Sequence, residues 1–265
     1  MKNTFVKPKI IIIPDVHGRK FWREVVRQYL DEEVIFVFLG DYLDPYPYEQ
    51  DLEDAYKGLL DIIEYKQQYP EQFILLLGNH DLHYLTPTCR GSRWDKKNAQ
   101  RNADTFFYHL RCFQMTYHAE INGKQFVFSH AGMLKSWLYA NAQKLGIDVS
   151  HDVNDWTALP DLNQLLWSHT ERYKLNHVIG DVSYMRGGDS RYGSVVWADC
   201  REHVDKTERI NGIIQVFGHT QLESEPMNID NEVYCLDCRR AFCIDSDGNV
   251  LELDGTALPM TEVEE

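Results

Sequence analysis

Five short apolar runs in this sequence end in the same manner. Ile10–Ile13 runs into Pro14-Asp15-Val16-His17-Gly18, Val34–Leu39 into Gly40-Asp41-Tyr42-Leu43-Asp44, and Phe73–Leu77 into Gly78-Asn79-His80-Asp81. Later, Phe126–Phe128 leads to Ser129-His130-Ala131-Gly132, and Ile213–Phe217 leads to Gly218-His219-Thr220. Continuous apolar runs of this length, bounded by turn residues, read as buried strands. Each delivers a potential metal ligand at its C-terminal end. In open α/β sheets ligands bind at that edge, so the five loops can converge in space.

Between the first three runs the period changes from strand to helix. Phe21, Trp22, Val25, Val26, Tyr29 and Leu30 recur at helical spacing, as do Leu52, Ala55, Tyr56, Leu59, Leu60 and Ile63. The β-α-β-α-β order predicts right-handed crossovers and a largely parallel sheet in this half. A helical pattern follows over Asn98–Met115, then a strand over Gln125–Ser129 and a helix over Leu134–Leu145. Residues 148–205 are broken up by Gly180, Gly187, Gly188 and Gly193 and read as an elaborated loop region with short helices. Strands return at Gly212–Phe217, Glu232–Leu236, Ala241–Asp245 and Val250–Leu253, close enough for hairpins. Asp245-Ser246-Asp247-Gly248-Asn249 lacks the spaced ligands of a calcium loop and reads as a hairpin turn. Residues 1–255 are expected to form a single domain, and residues 256–265 a loose acidic tail.

The 265 residues carry 27 Lys plus Arg against 41 Asp plus Glu, a formal charge of −14. A protein that wraps extended nucleic acid rests on cationic neutralisation of phosphates, so the acid excess argues against that class. A small anionic substrate remains compatible if something supplies local positive charge. No apolar run is long enough to span a membrane, and the apolar stretch after Lys9 stops at Pro14, short of a signal peptide. The six cysteines read as reduced thiols of a cytoplasmic protein, and Cys235-x-x-Cys238 as buried strand cysteines rather than a zinc site. Trp167, Trp197 and Phe106–Tyr108 read as core aromatics. His169, His177 and His203 read as unassigned surface or loop histidines.

The residue types at the five strand ends suit a metal task. Asp, His and Asn are borderline or hard donors, fit for Mn, Fe or Zn. Gly40, Gly78 and Gly218 precede the ligands, where a missing side chain lets the backbone turn sharply and approach the site. A carboxylate such as Asp41 can bridge two cations.

Taken together, the pattern D-x-H, G-D-x-x-D, G-N-H-D, an isolated His and a final Gly-His resembles that of the calcineurin-like metallophosphoesterases, in order, from Asp15 to Thr220. The resemblance implies a four-layer α-β-β-α sandwich, an α/β fold of two mixed sheets flanked by helices. It implies that Asp15 and His17 hold a first metal, that Asp41 bridges, and that Asn79, His130 and His219 hold a second. Manganese is the expected metal, with iron or zinc as alternatives. His80, paired with Asp44, takes the role of general acid. The activity implied is hydrolysis of phosphomonoesters by metal-hydroxide attack, on a small phosphorylated molecule or nucleotide. Phosphodiesterase, dinucleoside polyphosphate hydrolase, phosphoprotein phosphatase and a non-catalytic scaffold are the alternatives.

Some positions depart from the protein Ser/Thr phosphatase branch. That branch continues its second motif as D-R-G with a phosphate-gripping Arg, whereas Pro45 and Tyr46 follow Asp44 here, and Asp81 stands where it has Glu. Gln221 stands where many superfamily members carry a second His, although the phosphatase branch also lacks it. Arg186 and Arg191 in the Gly-rich loop, or Arg90 and Arg93 after the third motif, are candidates for the missing arginine, because a guanidinium fork fits phosphate bidentately.

Overall fold

The computed structural model describes residues 7–89, 91–146 and 161–262. In chain order, β1 (Pro8–Ile13), α1 (Phe21–Tyr29), β2 (Ile35–Phe38), α2 (Leu52–Gln68) and β3 (Phe73–Leu76) form the expected β-α-β-α-β unit, with β1, β2 and β3 parallel. There follow α3 (Asn79–Leu85), α4 (Ala99–Tyr108), β4 (Phe113–Gln114), β5 (Thr116–Ile121), β6 (Lys124–Ser129) and α5 (Lys135–Leu145). The rest comprises α6 (Leu162–Trp167), α7 (Arg172–Val178), β7 (Ile214–Phe217), β8 (Met227–Ile229), β9 (Val233–Cys235), β10 (Phe242–Asp245) and β11 (Val250–Glu252).

The strands make two mixed sheets, ordered β11-β10-β1-β2-β3-β4 and β5-β6-β7-β9-β8. Alternation along the strands explains how they stack. Ile10, Ile12, Val37, Leu39, Ile74 and Leu76 turn inward and meet Phe126, Phe128, Val216 and Tyr234 of the second sheet. The intervening Ile11, Ile13, Phe36, Phe38, Phe73 and Leu75 face the helices, where Trp22, Val26, Leu59 and Ile62 cover them. With both faces covered, the strands are apolar throughout, which is why they read as unbroken runs. The α2 helix is started by Asp51, whose side chain accepts from Glu53 N, and is pinned to the sheet by Tyr65, stacked 5.2 Å from Phe73. Val127 of β6 faces away from the inter-sheet layer, toward a cluster that includes Leu134, Trp137, Leu138 and Val178 of the α5 and α7 side. Helices thus lie outside both sheets, the four-layer arrangement expected.

Three strands were not read from the sequence. β4 is two residues long, β8 three, and β5 is an edge strand whose Tyr117, Ala119 and Ile121 alternate with polar residues and are only partly covered. One pairing differs from expectation. β10 and β11 do form a hairpin closed by Asp245, which accepts from Asp247 N (2.9 Å) and Asn249 N (2.8 Å). β9, however, pairs with β7 and β8 in the other sheet rather than with β10. A short connection suits a crossing between sheets about 10 Å apart as well as a hairpin, so spacing alone does not separate them. Within the described part of 148–205, α6 and α7 are followed by short 3-10 turns at Tyr184–Arg186 and Cys200–Val204. Past β11, Thr256 O accepts from Glu252 N (2.9 Å), Leu258 is buried in the inter-sheet layer and Thr261 N donates to Asn228 O (2.8 Å), so Thr256 stays on β11 while Leu258 and Thr261 reach β8.

Candidate metal centre

The C-terminal ends of β1, β2, β3, β6 and β7 come together at one edge, and backbone bonds fix the loops to each other. His17 N donates to Asp41 O (2.6 Å) and Gly18 N to Tyr42 O (3.0 Å), joining the first and second motifs. Asp81 joins the second and third, since its carboxylate accepts from Asp41 N (2.7 Å), Tyr42 N (2.9 Å) and Gly78 N (2.9 Å). Gly218 N donates to His130 O (2.9 Å), and His219 N to Asp15 Oδ1 (2.9 Å), closing the ring of loops. His17, Asp41, Asp44 and His219 all adopt left-handed backbone, with φ of 42°, 54°, 56° and 64°. Non-glycine residues persist in that region only where the surroundings hold them, and such strain gathers at functional sites. Two glycines are obligatory for the close approach: a Cβ on Gly78 would lie 2.1 Å from Asp41 Oδ1, and one on Gly218 would lie 2.2 Å from Asp15 Oδ1.

The six ligand candidates Asp15, His17, Asp41, Asn79, His130 and His219 are all buried and gathered there. His17 Nδ1 donates to Leu43 O (2.9 Å) and His130 Nδ1 to Leu39 O (2.8 Å), so in the neutral rings each Nε2 carries a lone pair. Both lone pairs face one carboxylate oxygen, Asp41 Oδ2, at 3.4 Å and 3.5 Å. Around His130 Nε2 stand two further donors, Asn79 Oδ1 at 3.0 Å and His219 Nδ1 at 3.1 Å. Backbone-anchored imidazoles turned toward a shared carboxylate are how proteins orient metal ligands. His17, Asp41 and His80, and Asp41, His130 and His219, each form a group compact enough to hold an ion.

The charges lead to the same requirement. Burial pushes Asp15 well above the usual carboxylate range, with Asp41 adding repulsion. For Asp41, burial also opposes ionisation, but the surrounding imidazoles, His130 foremost, outweigh it and hold the carboxyl low. Yet burial lowers His17 to about 3 and holds His219 well below its ordinary value, with Arg186 and His130 pushing the latter further. With His17 and His219 neutral, no imidazole charge on either ring balances a charge on buried Asp15. A divalent cation does, and the Asp, His and Asn donors suit Mn, Fe or Zn.

Beside this group, Asp44 Oδ2 accepts from His80 Nδ1 (2.9 Å). His83 Nε2 lies 2.7 Å from the same oxygen, off the line of a hydrogen bond, and Tyr84 OH donates to Oδ1 at 2.5 Å. Burial raises the Asp44 carboxyl, but its contacts with His80 and His83 more than compensate and hold it below the usual range. His80 Nε2 is thereby turned toward a cavity of about 790 Å³ that also takes in His17, Asp41, Asn79 and His219.

Of the four candidate arginines, Arg93 and Arg186 line this cavity. Arg93 stacks 3.8 Å over the Tyr46 ring, donates Nε to Asp44 O (3.1 Å), and holds Nη2 3.3 Å from His17 Nε2 and 3.4 Å from His80 Nε2. Arg186 sits by Asp199 (3.6 Å) and donates to His219 O (3.4 Å). Arg191 is placed over Tyr192 (5.2 Å) and not on the cavity wall, while Arg90 lies outside the described residues. Gln221, with its amide oriented to suit both neighbours, donates to Tyr46 OH (2.9 Å) and accepts from Arg239 Nε (3.0 Å), so it supports Tyr46.

Several residues that matter here carried no signal of their own. Asp81 stands where a related branch has Glu, and His83 and Tyr84 belong to none of the five motifs. Trp197 is nearly buried, as expected for core, but it also lines the cavity and meets His219 edge to face at 5.6 Å. His203 is fully buried rather than on a surface loop, with Nε2 donating to Ala131 O (3.1 Å). It lies within the 3-10 turn Cys200–Val204, which packs against the His130 loop through that bond, a placement that polarity does not announce. Cys235 and Cys238 are buried free thiols.

A family model described as calcineurin-like phosphoesterase matches residues 8–222. Among solved structures, a cold-active protein-tyrosine phosphatase of the psychrophile Shewanella sp. is similar with a TM-score of 0.55 at 16% identity, over 96% of this chain and 82% of that one. A protein serine/threonine phosphatase from Saccharomyces cerevisiae, described as similar to human phosphatase PP5, gives a TM-score of 0.53 at 14% identity, over 99% and 82%. Identities this low speak to the fold, which is shared almost end to end. Among the described residues no helix is long and apolar enough to cross a membrane.

Proposed function

This chain belongs to the calcineurin-like phosphoesterase family and is a metallophosphoesterase, and from that premise we propose that it hydrolyses phosphomonoesters at a dinuclear centre. Asp15, His17, Asp41, Asn79, His130 and His219 hold the two cations in this reading, with manganese the expected metal. The observation that carries it is Asp41 Oδ2, faced by the lone pairs of His17 and His130 at 3.4 Å and 3.5 Å beside the His80–Asp44 pair. Bound divalent cations supply an acidified water as nucleophile and positive charge against the phosphoryl oxygens.

The chain's own groups do the rest. Asp44 holds the His80 ring so that Nε2 can pass a proton to the leaving oxygen. Arg93, already within reach of His17 and His80, takes the phosphate in its fork, and Arg186 adds charge at the rim. A monoester dianion uses these extra cations more fully than a diester monoanion would. With a formal charge of −14, the protein favours a small phosphorylated molecule or nucleotide over an extended polyanion. Six free cysteines support a reducing, cytoplasmic setting.

The test is phosphate release from metal-reconstituted protein across nucleotides, small monoesters, diesters, dinucleoside polyphosphates and phosphopeptides. Monoesters turned over well ahead of diesters and dinucleoside polyphosphates support the reading. The reverse order sinks it, and inactivity on every substrate with every metal would return the chain to the role of scaffold.

A further inference from the structure

A sixth strand end reaches the edge where the ligands gather. β9 runs parallel to β7 with Cys235 opposite Phe217, so Leu236-Asp237 leaves the sheet alongside Gly218-His219. Leu236 N donates to Phe217 O (2.8 Å) and Leu222 N to Asp237 O (3.0 Å), which ties the two exits together on either side of His219. The Asp15 side chain rests on this junction. Its Oδ1 accepts from His219 N (2.9 Å) and fills the space where Gly218 has no Cβ.

Asp237 is 2% exposed, and its Oδ1 has no hydrogen-bond partner. Burial pushes its carboxyl well up, and Asp15 is the neighbour that pushes it further. The cation that most offsets this, Arg19, places Nε on Glu49 (2.8 Å) and Nη1 on Asp15 O (3.3 Å), and its buried Nη2 makes no hydrogen bond, to Asp237 Oδ1 or to any other group. A buried carboxylate with an empty lone pair is costly unless something positive meets it. Nothing in the six-ligand assignment uses this group.

We infer that Asp237 supplies a further carboxylate to the cation held by Asp15 and His17. The inference rests on the two-cation reading above. A hard oxygen donor on that side suits Mn.

The test is calorimetric titration of Mn²⁺ into chelator-stripped full-length protein, wild type against Asp237→Asn, together with melting of each stripped protein. The expected result is two sites in the wild type. In the variant one site is unchanged and the other is at least tenfold weaker, and the stripped variant melts at or above the stripped wild type, because an uncompensated buried carboxylate has been removed. Asp237→Ala carries the same expectation for binding. Unchanged affinity at both sites overturns the inference while leaving the two-cation reading intact. A stripped variant that melts lower or fails to fold also overturns it, since Asp237 would then serve packing. A wild type that takes up no Mn²⁺ overturns both.

Discussion

Asp44 accepts a 2.9 Å hydrogen bond from Nδ1 of His80 while Tyr84 and His83 crowd its two oxygens, so the carboxylate is fixed from three sides and the His80 ring has one orientation. A proton donor held this way matters most when the leaving group is poor. His80→Ala is expected to lower turnover of an alkyl phosphate by about 10²–10⁴-fold. The loss on p-nitrophenyl phosphate should be far smaller, because nitrophenolate leaves without protonation. Steady-state rates on the two substrates check this, and equal losses remove His80 from the role.

Arg93 spans Asp44, His17, His80 and Tyr46, and no other described arginine makes such a set of contacts. Arg93→Ala should weaken competitive inhibition by inorganic phosphate about tenfold or more, the worth of one charge-assisted hydrogen bond. Arg93→Lys should recover only part, since an ammonium lacks the fork. Inhibition constants that do not move would place the phosphate away from Arg93.

Three backbone N–H groups end on the Asp81 carboxylate, and they belong to two different motif loops. Asp81→Asn keeps the shape but replaces an acceptor-only group with one carrying donors. A loss of about 2–4 kcal/mol is expected from hydrogen bonds of this charged kind. Urea unfolding measures it; a variant as stable as the wild type would mean the loops hold together without Asp81.

His203 gives a pH signature. Burial lowers its pKa from 6.5 to about 4, so the folded state binds fewer protons than the unfolded state between those values. Its contribution is fully present above about pH 6.5 and is lost as the pH falls toward 4. Between pH 7.5 and 5 the loss is about 2 kcal/mol. Urea midpoints of chelator-stripped wild type and His203→Gln should converge on acidification by that amount, and parallel pH curves would contradict the assignment.

The legible part of this protein was the part written in apolar runs and strand ends. β1, β2 and β3 are buried on both faces, so Ile10–Ile13, Val34–Leu39 and Phe73–Leu77 stood out and carried their ligand loops with them. β5 did not, because an edge strand half covered by its sheet mixes Tyr117 and Ile121 with His118 and Glu120. The sheet to which β9 belongs was hidden for another reason: the six-residue link to β10 fits either topology. In the site, residues named by a motif were readable, whereas the bonds of Asp81 to the second motif loop, and the places of His83 and Asp237, depend on contacts about 40 positions away or on a neighbouring strand, which a linear pattern does not contain.

The most direct test of the account is to strip the protein with chelator and add Mn²⁺ stepwise while following p-nitrophenyl phosphate turnover and bound metal together. Activity should be absent at the start, rise with added metal and level off at two equivalents, and Asp41→Asn should bind neither cation tightly. Turnover that persists in the stripped protein, or a wild type that binds no metal, would contradict it.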